Sequence, residues 1–535
     1  MTITKDKTEV NNTVKHTSQD FNPWIVYVVC LGIAVVFMFF FGLNSPLHTF
    51  NPFTDYNWFV TMGRSIVAGK VPYRDLFDHK GPITYFVFAI AGLFPNYQIA
   101  VWCIEIICIS LFLYFCYRIA RKFLSPWLSL AVVPLIMLVL STNYCRGLSA
   151  TPVEEFCLPI FAYGLLCFLD FIMDKRPATW QRSLALGICL GILFWVKFSM
   201  WEFFLFPMLI WLIMNLVRRD WKTVSRSGLI MLGGLMIVTL PIIIYFGVNG
   251  ALDDLWQMYF QLNMGSYTGN YMGLNETELY IRKWKNALFP FGMGGFFITT
   301  LILGIICFAI NYWKQKSGWL LLIAVVATWL IIGFFCGFEH YYIPLFTYAV
   351  LGCIYIVKYI AKLVCFKFTR FKSLFDRSLF KNLGIICLCL ISLLVAFPFV
   401  LNTIDINKPR ENYAPLVVAD IIKDYNQTAE KPATLFCYSM VDYGFYNAAG
   451  LIPETKFYAR SAFTVDEFPE MYQAFDETIS NPNRPDFVIA FKHQVFLLTY
   501  YDYYYGTLEA STIKYVRFDD KSDYVSVEFV ILFRK

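Results

Sequence analysis

Between Phe53 and Pro82 the chain reads FTDYNWFVTMGRSIVAGKVPYRDLFDHKGP, an island of Asp55, Arg64, Lys70, Arg74, Asp75, Asp78, His79 and Lys80 set between long apolar runs. Such groups are costly beside a bilayer, so a function is their default reading. The same residue types recur at the ends of later apolar runs. Glu154 and Glu155 follow SATP, Lys197 and Glu202 stand in FWVKFSMWE, and Glu339, His340, Tyr341 and Tyr342 open another run. Mixed carboxylates and cations suit the displacement of a phosphate. A departing phosphate is already an anion, so it needs positive charge and no general acid. An attacking hydroxyl needs one carboxylate to take its proton as the bond forms. Lys80, Lys197 and His340, with Tyr341 beside it, meet the first need, and Asp55 the second. Arg64, Tyr73, Asp75, Asp78, His79, Glu154 and Glu155 are the expected surroundings of the cavity.

Each residue also has a plainer reading. Asp55 equally fits a helix cap, because TDYNWFVTMGRSIVAG has a helix-start pattern. Lys197 suits a side chain that snorkels to headgroups. Glu154 and Glu155 suit a helix start after Pro152, and His340 beside two tyrosines suits an interface anchor. Gly81-Pro82 is turn chemistry whatever the function. Glu154, Glu155, Asp78 and His79 could also ligate a divalent metal, but their spacing specifies no ion.

The elements that must bring these residues together are membrane helices. Of 535 residues 58% are hydrophobic, 19% aromatic and only 15% charged, outside the range of soluble globular proteins. Apolar stretches near residues 24–43, 97–117, 124–142, 156–173, 183–198, 201–217, 227–247, 287–311, 319–337, 343–360 and 383–401 give about eleven transmembrane helices, an all-α membrane bundle. The short run 82–94 reads as a re-entrant or interfacial helix. Residues 1–23 form a tail, and Lys and Arg cluster in alternate connections, which places the N-terminus in the cytoplasm. The first loop, 44–95, then faces outward. The fifteen cysteines lie mainly within apolar runs and read as small buried hydrophobes. The absence of an outer disulfide framework leans toward a bacterial source. The net charge of +6 falls between spans, so it does not argue for nucleic acid.

From residue 402 to 535 the pattern changes. Period-two runs at Ala433–Tyr438, Asp486–Phe491, Ile513–Phe518 and Tyr524–Phe533, with helical patterns at Ala414–Tyr425 and Val465–Ile479, predict an outward-facing α/β domain. The stretch 249–286 reads as a long loop rich in aromatic and amide side chains, suited to cover a substrate.

Several of these segments resemble the glycosyltransferase C superfamily, in the branch of protein O-mannosyltransferases, aminoarabinose transferases acting on lipid A, and related bacterial cell-envelope transferases (family 39-like). The likeness rests on Asp55 just after the first span, GKVPYRD (Gly69 to Asp75), DHKGP (Asp78 to Pro82), TPVEEF and HYYIP. It covers roughly residues 24 to 400. It implies an inverting transfer of a sugar from a polyprenyl-phosphate donor to an extracytoplasmic glycan, teichoic-acid-like polymer, lipid or protein. On that mapping Asp55 is the base, His79 and Lys80 shape the donor end, and Lys197 and His340 engage phosphate. Many relatives carry paired acids where this chain has Asp55-Tyr56, so a second acid there is absent. Some relatives bind a divalent metal and others do not, which leaves metal dependence open.

Two other classes compete. A polysaccharide polymerase or flippase would have similar spans, but the large arginine-rich outer loop it needs is missing. A solute transporter would carry ionisable residues at mid-membrane, where Glu105 and Asp170 are the main examples.

Overall fold

The computed structural model describes residues 20–141, 151–176, 178–266, 275–288, 295–335, 339–367, 378–397, 409–461, 463–481, 483, 485–491, 505–507, 517–518, 524–525 and 529–534. Helix α1 (Pro23–Phe41) is followed by α2 (Thr54–Val67), α3 (Pro82–Gly92), α4 (Tyr97–Ala120) and α5 (Pro126–Ser141). Next come the single turn α6 (Val153–Phe156), α7 (Leu158–Asp174), α8 (Trp180–Lys197), a 3₁₀ turn (Phe198–Trp201), α9 (Glu202–Val217) and α10 (Trp221–Val248). The bundle closes with α11 (Leu252–Leu255), a π-helix (Trp256–Ser266), α12 (Glu276–Leu288), α13 (Gly295–Tyr312), α14 (Lys316–Phe335), a 3₁₀ segment (Glu339–Tyr348), α15 (Ala349–Lys367) and α16 (Ser378–Ala396).

A helix lies at each apolar stretch found in the sequence. Among the described residues six stretches are long and apolar enough to cross a membrane: Pro23–Phe41, Tyr97–Ala120, Trp180–Val217, Trp221–Val248, Lys316–Phe335 and His340–Leu363. Shorter apolar helices include Pro126–Ser141, Ile298–Tyr312, Asn382–Ala396 and the eleven-residue α3. The chain is therefore a multi-pass membrane protein. Local chemistry sets where several helices begin. Asn96 accepts from the Ile99 amide at the start of α4, Thr179 from Arg182 at α8, and Asp220 from Thr223 at α10. The segment expected as a long loop, 249–286, is instead largely helical where described, as α11, the π-helix and the start of α12. Its apolar residues Leu255, Met258, Tyr259 and Leu262 are buried against the bundle, which is what orders it.

The two mid-span carboxylates have partners. Asp170, 5% exposed, pairs with Lys122 and lies 2.7 Å from Arg182. The fully buried Glu105 accepts from Thr151 at 2.6 Å and Asn44 at 3.2 Å.

The C-terminal unit is α/β. Strands β1 (Leu435–Cys437), β2 (Phe487–Phe491), β6 (Phe529–Arg534) and β3 (Tyr505–Thr507) pair in that spatial order, β1 with β2 parallel and the rest antiparallel. Strands β4 (Arg517–Phe518) and β5 (Tyr524–Val525) form a separate pair, so the run 524–533 splits into two strands. Helices α17 (Ala414–Asn426), α18 (Phe445–Ala449) and α19 (Pro469–Ser480) pack with them. The aromatic run that opens at Tyr500 lies, up to residue 504, outside the described residues.

This unit is bolted onto α2. Arg64 Nη2 donates to Gly450 O at 2.8 Å, Asn447 Nδ2 to Asn57 Oδ1 at 2.8 Å, and Thr61 to Asp442 at 3.3 Å. Trp58 lies over Tyr458 with ring centroids 5.0 Å apart. On its other face α2 meets α3 through Gly63, where a Cβ would stand 2.4 Å from the Phe88 carbonyl carbon. Backbone cannot yield as a side chain can, so Gly63→Ala should cost about 1–3 kcal/mol of stability. Thermal unfolding in detergent checks this: Gly63→Ala melts lower, whereas Gly32→Ala, with nothing within 4 Å, does not.

Candidate active site

A cavity of about 1320 Å³ runs between α8, α9, α10 and the π-helix. One wall is the face of α9 bearing Leu205, Met208, Leu209 and Leu212, opposite Met231, Leu232 and Leu235 of α10. It extends along α10 to Val224, and the eleven residue steps from Leu235 to Val224 cover about 16 Å of helix. At the other end stand His79, Lys80, Glu154, Lys197, Asn263 and Tyr341, and the lining also carries Ser199, Glu202 and Lys283. Its shape is an apolar groove with a charged head.

Lys197 is aimed into the head by a break in the helix. The backbone leaves α-helical geometry there (φ −166°, ψ 104°) before the 3₁₀ turn begins. Its ammonium lies 2.7 Å from Glu154 Oε1 and 3.1 Å from the centre of the Tyr341 ring. Glu154 sits in the single turn α6 and is 1% exposed. Burial favours its neutral acid, yet the charges of Lys197 and His340 and the Lys197 hydrogen bond outweigh that and hold its carboxyl below the usual value. His340 stacks edge-on against Tyr341 with ring centroids 4.9 Å apart. Of Glu339 only the backbone is described.

Lys80 reaches the same head from the loop between α2 and α3. Gly69 (φ +90°) and Tyr73 (φ +68°) turn the loop back on itself. Tyr73 and Tyr85 hydroxyls then donate to the Lys80 carbonyl at 2.5 and 3.1 Å. The Gly81 amide donates to Val196 O at 3.0 Å, and a Cβ on Gly81 would stand 2.1 Å from Trp195 O. Only glycine lets this loop lie directly on the end of α8, which is how Lys80 and Lys197 come to share one cavity.

His79 stands beside them. Its Nε2 is 3.4 Å from Lys80 Nζ, its Nδ1 is 3.2 Å from Asp78 Oδ1, and Asn263 donates to its carbonyl at 2.7 Å. Burial and the Lys80 charge hold the imidazole below its ordinary pKa against the pull of Asp78, so the ring is neutral at pH 7. Burial opposes ionisation of Asp78, but the hydrogen bonds from His79 and the charge of Lys80 prevail and lower its pKa.

The remaining expected residues are placed differently. Asp55 lies in the first turn of α2, partly exposed, and makes no capping hydrogen bond, since Phe53 is the N-cap. It is not among the cavity-lining residues, but its charge acts on both His79 and His340. Arg64 is turned away from the cavity to hold Gly450 and the Asn447 carbonyl, because α2 presents that face to the C-terminal unit. Asp75 accepts from the Val71 amide at 2.7 Å and pairs with Arg74, shaping the loop. Tyr73 and Glu155 are fully buried behind the lining. Among the described residues no three His, Cys, Asp or Glu side chains gather as a metal site. Asn263, Lys283 and Tyr259 also line the cavity. In the sequence Asn263 is one of the amides that make 249–286 suited to cover a substrate, whereas Lys283 and Tyr259 have only their place in that stretch to point to them.

Residues 79–245 match the family described as dolichyl-phosphate-mannose-protein mannosyltransferase. The fold is similar to the crystal structure of ArnT from Cupriavidus metallidurans bound to undecaprenyl phosphate, with TM-score 0.53, 13% identity, and coverage of 95% of this chain and 97% of that one. The apo form of the same protein gives TM-score 0.52 at 13% identity over the same shares of both chains. An oligosaccharyltransferase from Archaeoglobus fulgidus gives TM-score 0.46 at 14% identity, covering 91% of this chain and 72% of that one. No curated protein matches by sequence.

Breaking a buried ion pair by removing one partner leaves the other charge uncompensated, at a cost of about 3 kcal/mol. Glu154→Gln should therefore lower stability by that order at neutral pH. Because the folded carboxyl is held below the ordinary glutamate pKa, the stabilisation is complete above that ordinary pKa and is lost as pH falls through the folded pKa. Melting curves of wild type and Glu154→Gln should thus differ at pH 7 and converge in acid.

Proposed function

We propose that this chain, a glycosyltransferase related to the dolichyl-phosphate-mannose-protein mannosyltransferases, takes its sugar from a polyprenyl-phosphate carrier. The observation that carries the reading is the cavity itself. An apolar groove between α9 and α10 suits an isoprenoid tail, and Lys80 and Lys197 at its head suit the phosphate. ArnT, whose fold is similar, binds undecaprenyl phosphate.

In the proposed reaction an acceptor hydroxyl attacks the anomeric carbon on the face opposite the phosphate. As the new C–O bond forms, Asp55 takes the hydroxyl proton and the bond to the phosphate oxygen breaks with its electron pair. The product is inverted, and the carrier phosphate remains as an anion against Lys80 and Lys197, with Tyr341 and His340 behind Lys197. Asp55 suits the base because its charge reaches the ring of His79 beside Lys80 and also His340. It carries no capping bond that would occupy it in the helix start.

The abundance of Lys and Arg in the connections at the opposite end of the bundle supports a cytoplasmic N-terminus. The cavity head and the C-terminal unit then face outward, and the acceptor is a cell-envelope glycan, lipid or protein. The π-helix, whose Tyr259 and Asn263 line the cavity, covers the head from that side.

General-base catalysis is worth about 100-fold or more. Asp55→Asn should lower sugar transfer by at least that factor while leaving polyprenyl-phosphate binding unchanged. In a strain lacking the protein, an envelope sugar should disappear and return with wild type but not with stably expressed Asp55→Asn. Full return with Asp55→Asn would move the base to another carboxylate.

A further inference from the structure

The C-terminal unit reaches into the head of the cavity. The Phe77 amide donates to Lys456 O at 2.9 Å, and the Phe77 ring is enclosed by Phe457, Phe463 and Phe468, with centroids 5.1 to 6.2 Å away. Two residues further on, Ser461 Oγ lies 3.3 Å from His79 Nδ1, and Phe463 sets its ring edge-on to the imidazole at 5.1 Å. Ser461 is 8% exposed and His79 7%.

The chemistry of the four groups fixes the direction of the hydrogen bonds. A lysine ammonium has donors and no acceptor, so the contact between Lys80 Nζ and His79 Nε2 requires a lone pair on Nε2. The ring proton then sits on Nδ1, where both the Asp78 carboxylate and the Ser461 hydroxyl oxygen can accept it. Asp78 is tied to the same loop, but Ser461 comes from a chain segment more than 380 residues away. It is in place only when the C-terminal unit is docked.

We propose that Ser461 is a positioning residue for the donor, acting through His79 on Lys80, and that the C-terminal unit thereby completes the phosphate-binding head. The proposal rests on the carrier-phosphate reading of the cavity. Ser461 and Asp78 hold the ring in the tautomer and orientation that present the Nε2 lone pair to the ammonium. Without Ser461 the ring is freer to turn, and Lys80 spends less of its time directed at the phosphate.

The test uses full-length protein in detergent and a polyprenyl phosphate as the probe, with binding followed by intrinsic tryptophan fluorescence. Ser461→Ala should weaken binding about five-fold, the scale of one hydrogen bond, and Ser461→Thr, which keeps the hydroxyl, should restore it. In a Lys80→Ala background Ser461→Ala should cause no further loss, because the two act as one unit. Equal weakening in both backgrounds, or none in either, overturns the proposal. A wild-type chain that binds no polyprenyl phosphate overturns the carrier reading and this inference with it. Melting temperatures equal to wild type show that the variants report on the site and not on folding.

Discussion

A cation held in a mostly apolar cavity must be compensated, and this requirement organises the structure around Lys197 and Lys80. For Lys197 the compensation is the Glu154 carboxylate on one side and the face of Tyr341 on another. Those three residues come from the end of α8, the turn α6 and the 3₁₀ segment before α15. The ion pair therefore pins three parts of the bundle to one point. Lys80 is supported differently, through a backbone carbonyl gripped by two tyrosine hydroxyls and an imidazole at its ammonium.

Behind this head runs a second layer of buried polar contacts that ties the same segments together. Glu105 accepts from Asn44 and Thr151, Asn44 accepts from Asn51, and Asn57 donates to the Asn51 carbonyl while accepting from Asn447. The chain of bonds passes from α4 inside the bundle, through the loop before α2, to the C-terminal unit. Thr151, with φ +73°, stands three residues before Glu154. A polar network is costly in a low-dielectric interior unless its members find partners. Here its satisfaction depends on loop, bundle and C-terminal unit being assembled at once, so the position of the Glu154 turn is coupled to the docking of a domain far away in sequence.

Much of this was legible in the sequence, for a physical reason. Apolar runs of membrane length have few alternatives to helix, so the helical stretches and the short α3 were visible from composition alone. The meeting of Lys80, Glu154, Lys197 and Tyr341 could be anticipated because charges at span ends on one side of a membrane must share an interface. What was not legible depends on direction. Arg64 has the composition of a cavity residue, but its α2 face is turned to Gly450. Asp55 sits one position beyond the start of α2, a distinction finer than a helix-start pattern resolves. The stretch 249–286 looked like a loop because its amides and aromatics lack a clean period, yet burial of Tyr259 and Leu262 gives it helical structure. Ser461 carried no signal, because one serine in an α/β domain has no pattern to distinguish it.

The scattering of the site over many segments follows from how such a chain enters the membrane. A charged residue at the centre of an isolated helix costs about 2.5–3.5 kcal/mol on insertion, which a single span can ill sustain several times over. Placing Lys197 at the last position of α8, Glu154 in a short turn between α5 and α7, and Lys80 in a loop keeps each long helix apolar along its length. The charge becomes concentrated only when the helices pack, and by then each ion meets its partner. Glu105 within α4 and Asp170 within α7 depart from this, and each stands where partners are at hand, Asn44 and Thr151 for the one and Lys122 and Arg182 for the other. The same arrangement leaves the walls between α9 and α10 free of charge along the groove from Leu205 to Val224. An apolar groove and a charged head thus adjoin in one continuous cavity, although the groove walls on α9 and α10 carry little charge themselves.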